Sequence, residues 1–556
     1  MDCFVAPCKE GCPIHQDITT YLQLVGEEKY EEAMEVITEK NPLPFITGTI
    51  CAHNCMSKCT RNFYETPVHI REMKLKAAEN GYEALLEKLP VPAVTKAGKA
   101  AVIGGGPAGM AAAYFLRKGG MEVTLFEAKE SLGGVVRHVI PPFRISEDAI
   151  EKDAEILRKM QVDIHCNTKL ESLEELKKQG YTKIVLAVGA PVQGSLKLES
   201  GMPKNALEFL AEFKQTDGKV SLGKHVVVIG GGNTAMDTAR AAKRNVGVEH
   251  VYLVYRRTRR YMPADEEELV MALEDGVEFK ELLSPVKLEN GQLLCKVMQL
   301  SDYDVSGRRG VTETGETVWV PADTVIAAVG EKVPTDWYQA NGLAVSEKGR
   351  LYVDEKTLKT SDDNVYAAGD GLYGPATVVE AIRDGRKVAE AIAGEVLARD
   401  FDKLAEEEKV YAKRGVLKEE QKETKEAGRC LGCSTICENC VEVCPNRANI
   451  AIQVPGMEKH QIIHVDYLCN ECGNCKSFCP YSSAPYLDKF TLFETEADME
   501  NSKNQGFAVL DQETRRCKVR FFGKTFIWEP EKPAALPDGL GRMIETVCRD
   551  YSYLIR

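Results

Sequence analysis

Residues 100–134 read AAVIGGGPAGMAAAYFLRKGGMEVTLFEAKESLGG. A short apolar strand, Ala101 to Ile103, runs into Gly104-x-Gly106-x-x-Gly109, a helix follows, and a second strand ends at Glu127. Each glycine has a physical task. Gly104 permits the tight turn, Gly106 lets a pyrophosphate approach the backbone, and Gly109 lets helix and strand pack closely. The helix starting at Pro107 and Ala108 offers unpaired N–H groups and a positive dipole end to phosphate. Glu127 is placed to accept hydrogen bonds from a ribose, and Gly133-Gly134 trails the motif. The pattern predicts a dinucleotide site.

Working outward, the linker Leu89 to Gly98 is rich in proline and small residues and marks a domain boundary. The strand Lys183 to Val188 ends in Ala187-Val188-Gly189, small enough to pack against a bound nucleotide. A second unit opens with the strand His225 to Ile229, the loop Gly230-x-Gly232-x-x-Ala235 and a helix from Thr234 to Arg244, with Asn233 at its start. Its next strand, Val251 to Val254, ends in Tyr255-Arg256-Arg257 instead of an acid. An arginine pair there suits a 2′-phosphate, so NADPH is expected over NADH; a solvated basic loop is the plain alternative. The first unit is expected to return at Asp323 to Gly330 and Asn364 to Asp370, with Gly369 and Asp370 near a ribityl chain or pyrophosphate. A helix from Thr377 to Gly394 follows, its N-terminus facing a flavin ring.

The 556 residues include 19 cysteines, six before residue 60 and nine between 430 and 479. Such grouping in a large chain points to metal. The first group is Cys3-x4-Cys8-x3-Cys12, then Cys51-x3-Cys55-x3-Cys59 beyond a helical hairpin, Ile18 to Lys40, which Asp17 can cap and Asn41-Pro42 can end. Without Cys-x2-Cys knuckles this favours iron–sulfur ligation over zinc or plain thiols. The second group is Cys430-x2-Cys433-x3-Cys437-x2-Cys440-x3-Cys444-Pro445, then Cys469-x2-Cys472-x2-Cys475-x3-Cys479-Pro480. The later run matches the bacterial two-cluster ferredoxin pattern, in which the fourth cysteine of each run serves the other cluster. One cubane then uses Cys433, Cys437, Cys440 and Cys479, the other Cys469, Cys472, Cys475 and Cys444. One residue too many separates Cys433 from Cys437, and Cys430 is left over to replace Cys433, ligate elsewhere or ligate nothing. Cys166, Cys295, Cys517 and Cys548 read as buried thiols or surface bystanders.

The expected fold is α/β. Two Rossmann-like dinucleotide-binding domains, one inserted in the other, stand between an N-terminal α-helical Fe–S domain and a C-terminal ferredoxin-like 2[4Fe-4S] domain. The boundaries are 1–90 for the helical cysteine-rich domain, 91–220 and 321–398 for the FAD-binding domain, and 221–320 for the inserted NAD(P)H-binding domain. A charged, exposed linker at 399–428, the ferredoxin-like domain at 429–490 and a C-terminal appendix at 491–556 complete the chain. Net charge is −13 with both signs interspersed, which argues against nucleic acid. No apolar run approaches a membrane span and the N-terminus lacks a signal-peptide core, so a cytoplasmic protein without membrane insertion is expected.

With these parts in this order, the chain resembles the glutamate synthase small-subunit family. More narrowly it resembles the C-terminal half of bacterial iron–sulfur flavoproteins designated selenate reductase subunits. The stretches DCFVAPC, GTICAHNCMSKCTRNFYE, VVRHVIPPFRI, VVVIGGGNTAMDTARAA, YRRTRRYMPA, CVEVCPNRANI and CNECGNCKSFCP carry the likeness. The resemblance implies FAD on Gly104, Gly106, Gly109, Glu127 and Asp370, and NADPH on Gly230, Gly232, Ala235, Arg256 and Arg257. It also implies two N-terminal [4Fe-4S] clusters, one with at most Cys3, Cys8 and Cys59 because the family's first cysteine has no counterpart here, and one on Cys12, Cys51 and Cys55, so that either two clusters with unusual ligands form or one does. The family's carboxylate or amide ligand falls at Lys74, which leaves Glu72 or His53 as a substitute. Longer relatives carry a flavin-binding barrel in front, which points to a partner subunit of flavin-barrel or molybdenum-hydroxylase type.

The implied activity is hydride transfer from NADPH to FAD, then single-electron transfer through clusters to that partner or another acceptor. Electron bifurcation at the flavin, or a non-catalytic electron-transfer subunit with an unused NADPH site, are the alternatives. Glu268 either positions nicotinamide or lies on a helix surface.

Overall fold

The computed structural model describes residues 5–63, 65–303, 309–401, 406–457, 459–532 and 536–556. Contact density divides the chain into two units. One joins residues 1–28, 53–70 and 401–556; the other joins 29–52 and 71–400.

The unit spanning 29–52 and 71–400 contains two five-stranded parallel sheets. The first orders its strands Val365–Ala367, Tyr181–Leu186, Lys99–Ile103, Glu122–Phe126, Asp163–His165. Lys99–Ile103 is the central strand, which is why its residues after Lys99 are buried. The helix Pro107–Lys118 crosses one face, and the helix Val378–Ala393 lies against it at Gly385, where a Cβ would come within 2.6 Å of the Ala108 carbonyl oxygen. That second helix starts at Thr377 in a capping box with Glu380 and stops at Gly394 in the left-handed conformation.

The second sheet orders Lys204–Asn205, Thr324–Ala327, His225–Ile229, His250–Tyr255, Glu278–Glu281. Its central strand alternates faces. Val226 and Val228 enter a core with the helices Ala206–Gln215 and Asn233–Arg244, whereas Val227 and Ile229 face Leu293, Cys295 and Val320. Those three residues belong to an antiparallel sheet of Leu283–Glu289, Gln292–Tyr303 and Arg309–Pro321.

This arrangement corrects one expectation. The strand at 324–327 does not return to the first sheet; it pairs in parallel with His225–Ile229, and the short strand Lys204–Asn205 pairs on its far side. Only Val365–Ala367 returns, beside Tyr181–Leu186. An apolar run such as Thr324–Ala327 suits the middle of either parallel sheet, so local pattern is silent about which one it joins.

The cysteine-rich unit is built on a six-stranded sheet. Its order is Asn449–Ile452, Gln461–Val465, Thr491–Phe493, Gly506–Asp511, Arg516–Phe521, Lys524–Trp528. The first two strands lie between the two C-terminal cysteine runs, so residues 491–556 extend the ferredoxin sheet instead of hanging from it. The helix Asp538–Asp550 covers it with Ile544, Val547 and Cys548 against Phe507, Cys517 and Val519. The segment expected to be an exposed linker ends in a buried turn, where Glu426 and Arg429 are 1% and 0% exposed. Arg429 bonds Glu426 at 2.6 Å and the Thr66 carbonyl at 2.7 Å, so its burial is offset by charge and hydrogen bonds.

Candidate functional site: two nucleotide loops and the cysteine clusters

The first loop is shaped by backbone that side chains would obstruct. Gly104 has φ +107°, and a Cβ there would lie 2.2 Å from the Ala187 carbonyl oxygen; one on Gly109 would lie 1.8 Å from that of Gly104. Around Gly106 the nearest atom to such a Cβ is the Gly134 Cα at 3.8 Å, which leaves the space a pyrophosphate needs. Gly106 is the N-cap of the helix Pro107–Lys118 and no side chain caps it, so its first amides remain available to an anion.

Glu127 closes the loop from below. It is 7% exposed, and its carboxylate accepts from the Gly105 N–H at 2.6 Å and the Lys129 N–H at 2.7 Å. It therefore holds the glycine turn as well as standing at the strand tip for a ribose. Gly133 donates to the Gly105 carbonyl at 2.8 Å, which brings Gly134 against Gly106. Gly369, at φ +71°, would place a Cβ 2.6 Å from that of Ala108, so the last strand ends on the same helix start. Asp370 accepts from the Ala376 N–H at 3.0 Å, and burial pushes its carboxyl up to about 6. Thr377 commits its hydroxyl to the capping box.

The second loop repeats the plan. Gly230 has φ +153° with the Ala328 carbonyl oxygen 2.4 Å from a Cβ, and Gly232 has nothing within 4 Å. Gly232 is the uncapped N-cap of the helix Asn233–Arg244, with Thr234 and Ala235 in its first turn. The Asn233 side chain accepts from the Asp265 N–H at 2.9 Å. Arg256 is exposed and has no ion pair among the described residues; Arg257 donates to the Arg309 carbonyl at 3.0 Å. Glu268 is not a surface residue. It is 6% exposed and bonded to Arg144, which also holds Asp237 at 2.6 Å, and burial raises both carboxyls. The signal for this cluster was the FRI of the quoted PPFRI stretch, which residue spacing does not connect to the helix bearing Glu268.

The described N-terminal residues depart from the expected cap, since Asp17 makes no cap bond and instead pairs with Lys9 at 2.6 Å. Lys74 is buried beside Asp153, which also accepts from the Phe45 and Ile46 amides at 3.1 and 2.8 Å. Burial pushes the Asp153 carboxyl well above its ordinary range, and the nearby Lys74 charge offsets only part of that. Glu72 bonds Arg71, and His53 starts a short helix with φ +36°. Cys3 lies outside the described residues, and Cys51 belongs to the nucleotide-binding unit.

The family profile described as pyridine nucleotide-disulphide oxidoreductase matches residues 98–385, which hold both loops. The chain belongs to that family. A second profile, dihydropyrimidine dehydrogenase domain II with a 4Fe-4S cluster, matches residues 1–84 of this oxidoreductase. The oxidoreductase is 41% identical over 540 residues to YgfK of Escherichia coli K12, which carries an oxidoreductase designation; the match covers 93% of this chain and 52% of YgfK. It is 34% identical over 433 residues to the NADPH-Fe(3+) oxidoreductase subunit beta of Geobacter sulfurreducens, covering 70% and 64%. It is 33% identical over 420 residues to the glutamate synthase [NADPH] small chain of Azospirillum brasilense, covering 70% and 86%. The chain thus spans about half the length of YgfK. Among the described residues no helix of this oxidoreductase is long and apolar enough to cross a membrane.

The family cofactors are FAD, NADPH and [4Fe-4S] clusters, and the donor sets fit them. One cysteine cradle in the oxidoreductase brings Cys444, Cys469, Cys472 and Cys475 to the lining of one pocket, the set expected for one ferredoxin cubane. Backbone amides serve its sulfurs, Ala448 to Cys444 at 3.2 Å and Glu471 to Cys469 at 3.3 Å. Such N–H···S bonds stabilise thiolate and tune cluster potential. Of the isolated cysteines, Cys295, Cys517 and Cys548 are buried and Cys166 is half-buried. Burial pushes the Cys295 thiol up to about 12, so it is inert.

Proposed function

We propose that this chain oxidises NADPH at the Gly230–Ala235 loop and passes the electrons, by way of FAD at the Gly104–Gly109 loop, to its [4Fe-4S] clusters and on to a partner subunit or acceptor. The observation that carries this reading is a contrast within one unit. Two uncapped helix N-termini follow two open glycine loops, and only the second is followed by an exposed arginine, Arg256, which has no ion pair among the described residues.

Bound flavin supplies the two-electron to one-electron conversion that connects a hydride donor to iron–sulfur carriers. The chain's residues do the rest by positioning. Amides at the start of Pro107–Lys118 bind the FAD pyrophosphate, and Glu127, with Gly105 and Lys129 already on it, keeps the turn rigid and accepts from the ribose. Gly369 and Asp370 meet the same helix start. Amides from Asn233, Thr234 and Ala235 bind the NADPH pyrophosphate, and Arg256, with Arg257 behind it, holds the 2′-phosphate. Arg144 fixes Glu268 and Asp237, so Glu268 serves to hold the helix Glu266–Glu274 in place. No side chain is required as acid or base for hydride transfer, and none is assigned.

The Geobacter and Azospirillum relatives are named as subunits, which supports a partner-dependent role for this chain. A flavin-barrel or molybdenum-hydroxylase subunit is the proposed partner. The test is anaerobic stopped-flow absorbance with NADPH and with NADH, flavin and iron being quantified on the same sample. Fast flavin bleaching followed by cluster reduction, stronger with NADPH, is expected. If neither nucleotide reduces a fully loaded chain, the reading is wrong and the chain is an electron-transfer subunit charged by its partner.

A further inference from the structure

Cys430 and its neighbour Cys433 fit poorly into the ferredoxin pattern, and the structure places them elsewhere. The cysteine-rich unit brings residues 53–70 together with the stretch around 430. The Thr60 hydroxyl lies 3.1 Å from the Cys433 Sγ, Arg61 donates through Nε to the Arg429 carbonyl at 2.6 Å, and Thr19 meets Ser434 at 2.9 Å. Arg61 and Arg429 are both 0% exposed, and both bond Glu65, so the residues on either side of Cys59 and Cys430 are held by a buried charge network. Such a network fixes one arrangement more than it adds stability.

The result is a group of four neighbouring thiols, with Cys55 also beside Cys8 and Cys437 also beside Cys433. Cys8 is within electrostatic reach of Cys430, Cys433 and Cys59. Cys430 is within reach of Cys59, and Cys433 of both Cys430 and Cys59. All six pairs among Cys8, Cys59, Cys430 and Cys433 therefore interact. They do not converge as ligands of one ion would; a cubane instead carries its thiolates on separate iron atoms.

Local backbone gives independent support. Cys430-Leu431-Gly432-Cys433 turns through Gly432 at φ +61°. Cys469-Asn470-Glu471-Cys472 does the same through Glu471 at φ +52°, with its N–H on the Cys469 sulfur. The second turn belongs to the ferredoxin cradle. The first takes the same left-handed step at its third residue, and its two thiols lie near Cys8 and Cys59.

We propose that Cys8, Cys59, Cys430 and Cys433 ligate a single [4Fe-4S] cluster that staples the N-terminal segment to the ferredoxin region. Cys430 and Cys433 are then one knuckle of this cluster. Cys437, Cys440 and Cys479 remain as the cysteine complement of the neighbouring ferredoxin cubane, which explains the extra residue before Cys437. The inference rests on the iron–sulfur part of the proposed function and is independent of NADPH oxidation.

The experiment measures iron, acid-labile sulfide and FAD per chain, with low-temperature EPR of the dithionite-reduced protein, in C8S, C59S, C430S and C433S and in the double variant C8S/C430S. Each single variant is expected to lose the same EPR component and about four irons, and the double variant no more than either single one. Additive loss in the double variant, or retention of all iron in C430S or C433S, overturns the proposal, as does zinc in place of iron at these residues. Retained FAD reports that the nucleotide-binding unit has folded. Where a variant fails to fold, alkylation of the unmodified chain during chelation decides. The four cysteines should lose protection together, and labelling of Cys430 or Cys433 in the fully loaded chain refutes the assignment. A chain that keeps its flavin reduction by NADPH but fails these tests overturns the tetrad alone.

Discussion

The two glycine loops of the nucleotide-binding unit share one backbone plan and differ in what stands at the next strand tip. At the first, Glu127 folds back onto the loop and bonds Gly105. At the second, the Tyr255 ring lies against Gly231, where a Cβ would meet it at 2.4 Å, and Arg256 extends into solvent. A carboxylate tied to the loop builds a rigid seat for a resident cofactor, whereas a free arginine suits a nucleotide that comes and goes. On the proposed reading the same strand–loop–helix serves two nucleotides, and the residue after the second strand assigns them.

The largest effects should come from the turn glycines. Gly104→Ala forces a Cβ onto the Ala187 carbonyl at positive φ and should cost about 3 kcal/mol with loss of FAD, read by flavin content and thermal melting. Gly230→Ala should cost a similar amount through Ala328 but leave FAD in place and abolish reduction by NADPH. Equal loss of flavin in both variants would show that the loops do not serve separate nucleotides.

Asp370 sharpens the contrast, since the edge strand in the equivalent place of the second sheet, Lys204–Asn205, runs into Ala206 without a carboxylate. Burial raises the Asp370 carboxyl from 3.8 to about 6, so the folded apo-chain holds this proton more tightly than the unfolded one. Ionisation then works against folding. The stability contribution is full below about pH 4 and is lost as pH rises through about 6. Asp370→Asn should abolish that decline and stabilise the apo-chain by up to about 3 kcal/mol at pH 7. Denaturant melts of both apo-proteins across this range check it; parallel pH profiles would contradict it.

Replacing Arg256 and Arg257 together with alanine should weaken NADPH binding by about 10–100-fold and leave NADH nearly unchanged. Equal weakening of both would remove the 2′-phosphate assignment. The smallest stability effect is expected at Gly232, which has open space around it. Gly232→Ala should change folding stability by less than about 0.5 kcal/mol while weakening NADPH, because its Cβ enters the nucleotide's space and not the protein's. A large drop in melting temperature would show that the loop is packed.

Much of this was legible before the fold was seen because the signals are local. Gly109 is required by its contact with the Gly104 carbonyl within one strand–turn–helix and Gly104 by its positive φ, while Cys469 to Cys475 form a short run of ferredoxin spacing. Glu268 was harder to read. Its helical position is compatible with the surface, and Arg144, more than a hundred residues away in the chain, together with Arg240 makes it a buried partner. Asp17 shows the reverse: a sound capping residue whose carboxylate was taken by Lys9.

The amino-acid sequence by itself determined the two nucleotide loops, the basic tip of the second and the ferredoxin run, since each depends on residues a few positions apart and on backbone conformations that few side chains allow. Tertiary structure alone decided that the strand Thr324–Ala327 joins the second sheet, that residues 491–556 continue the ferredoxin sheet, and that Cys430 and Cys433 stand with Cys8 and Cys59. Those outcomes depend on which distant segments pair. Sheet edges and thiols are chemically alike wherever they occur, so proximity in the fold chooses among partners that local pattern leaves equivalent.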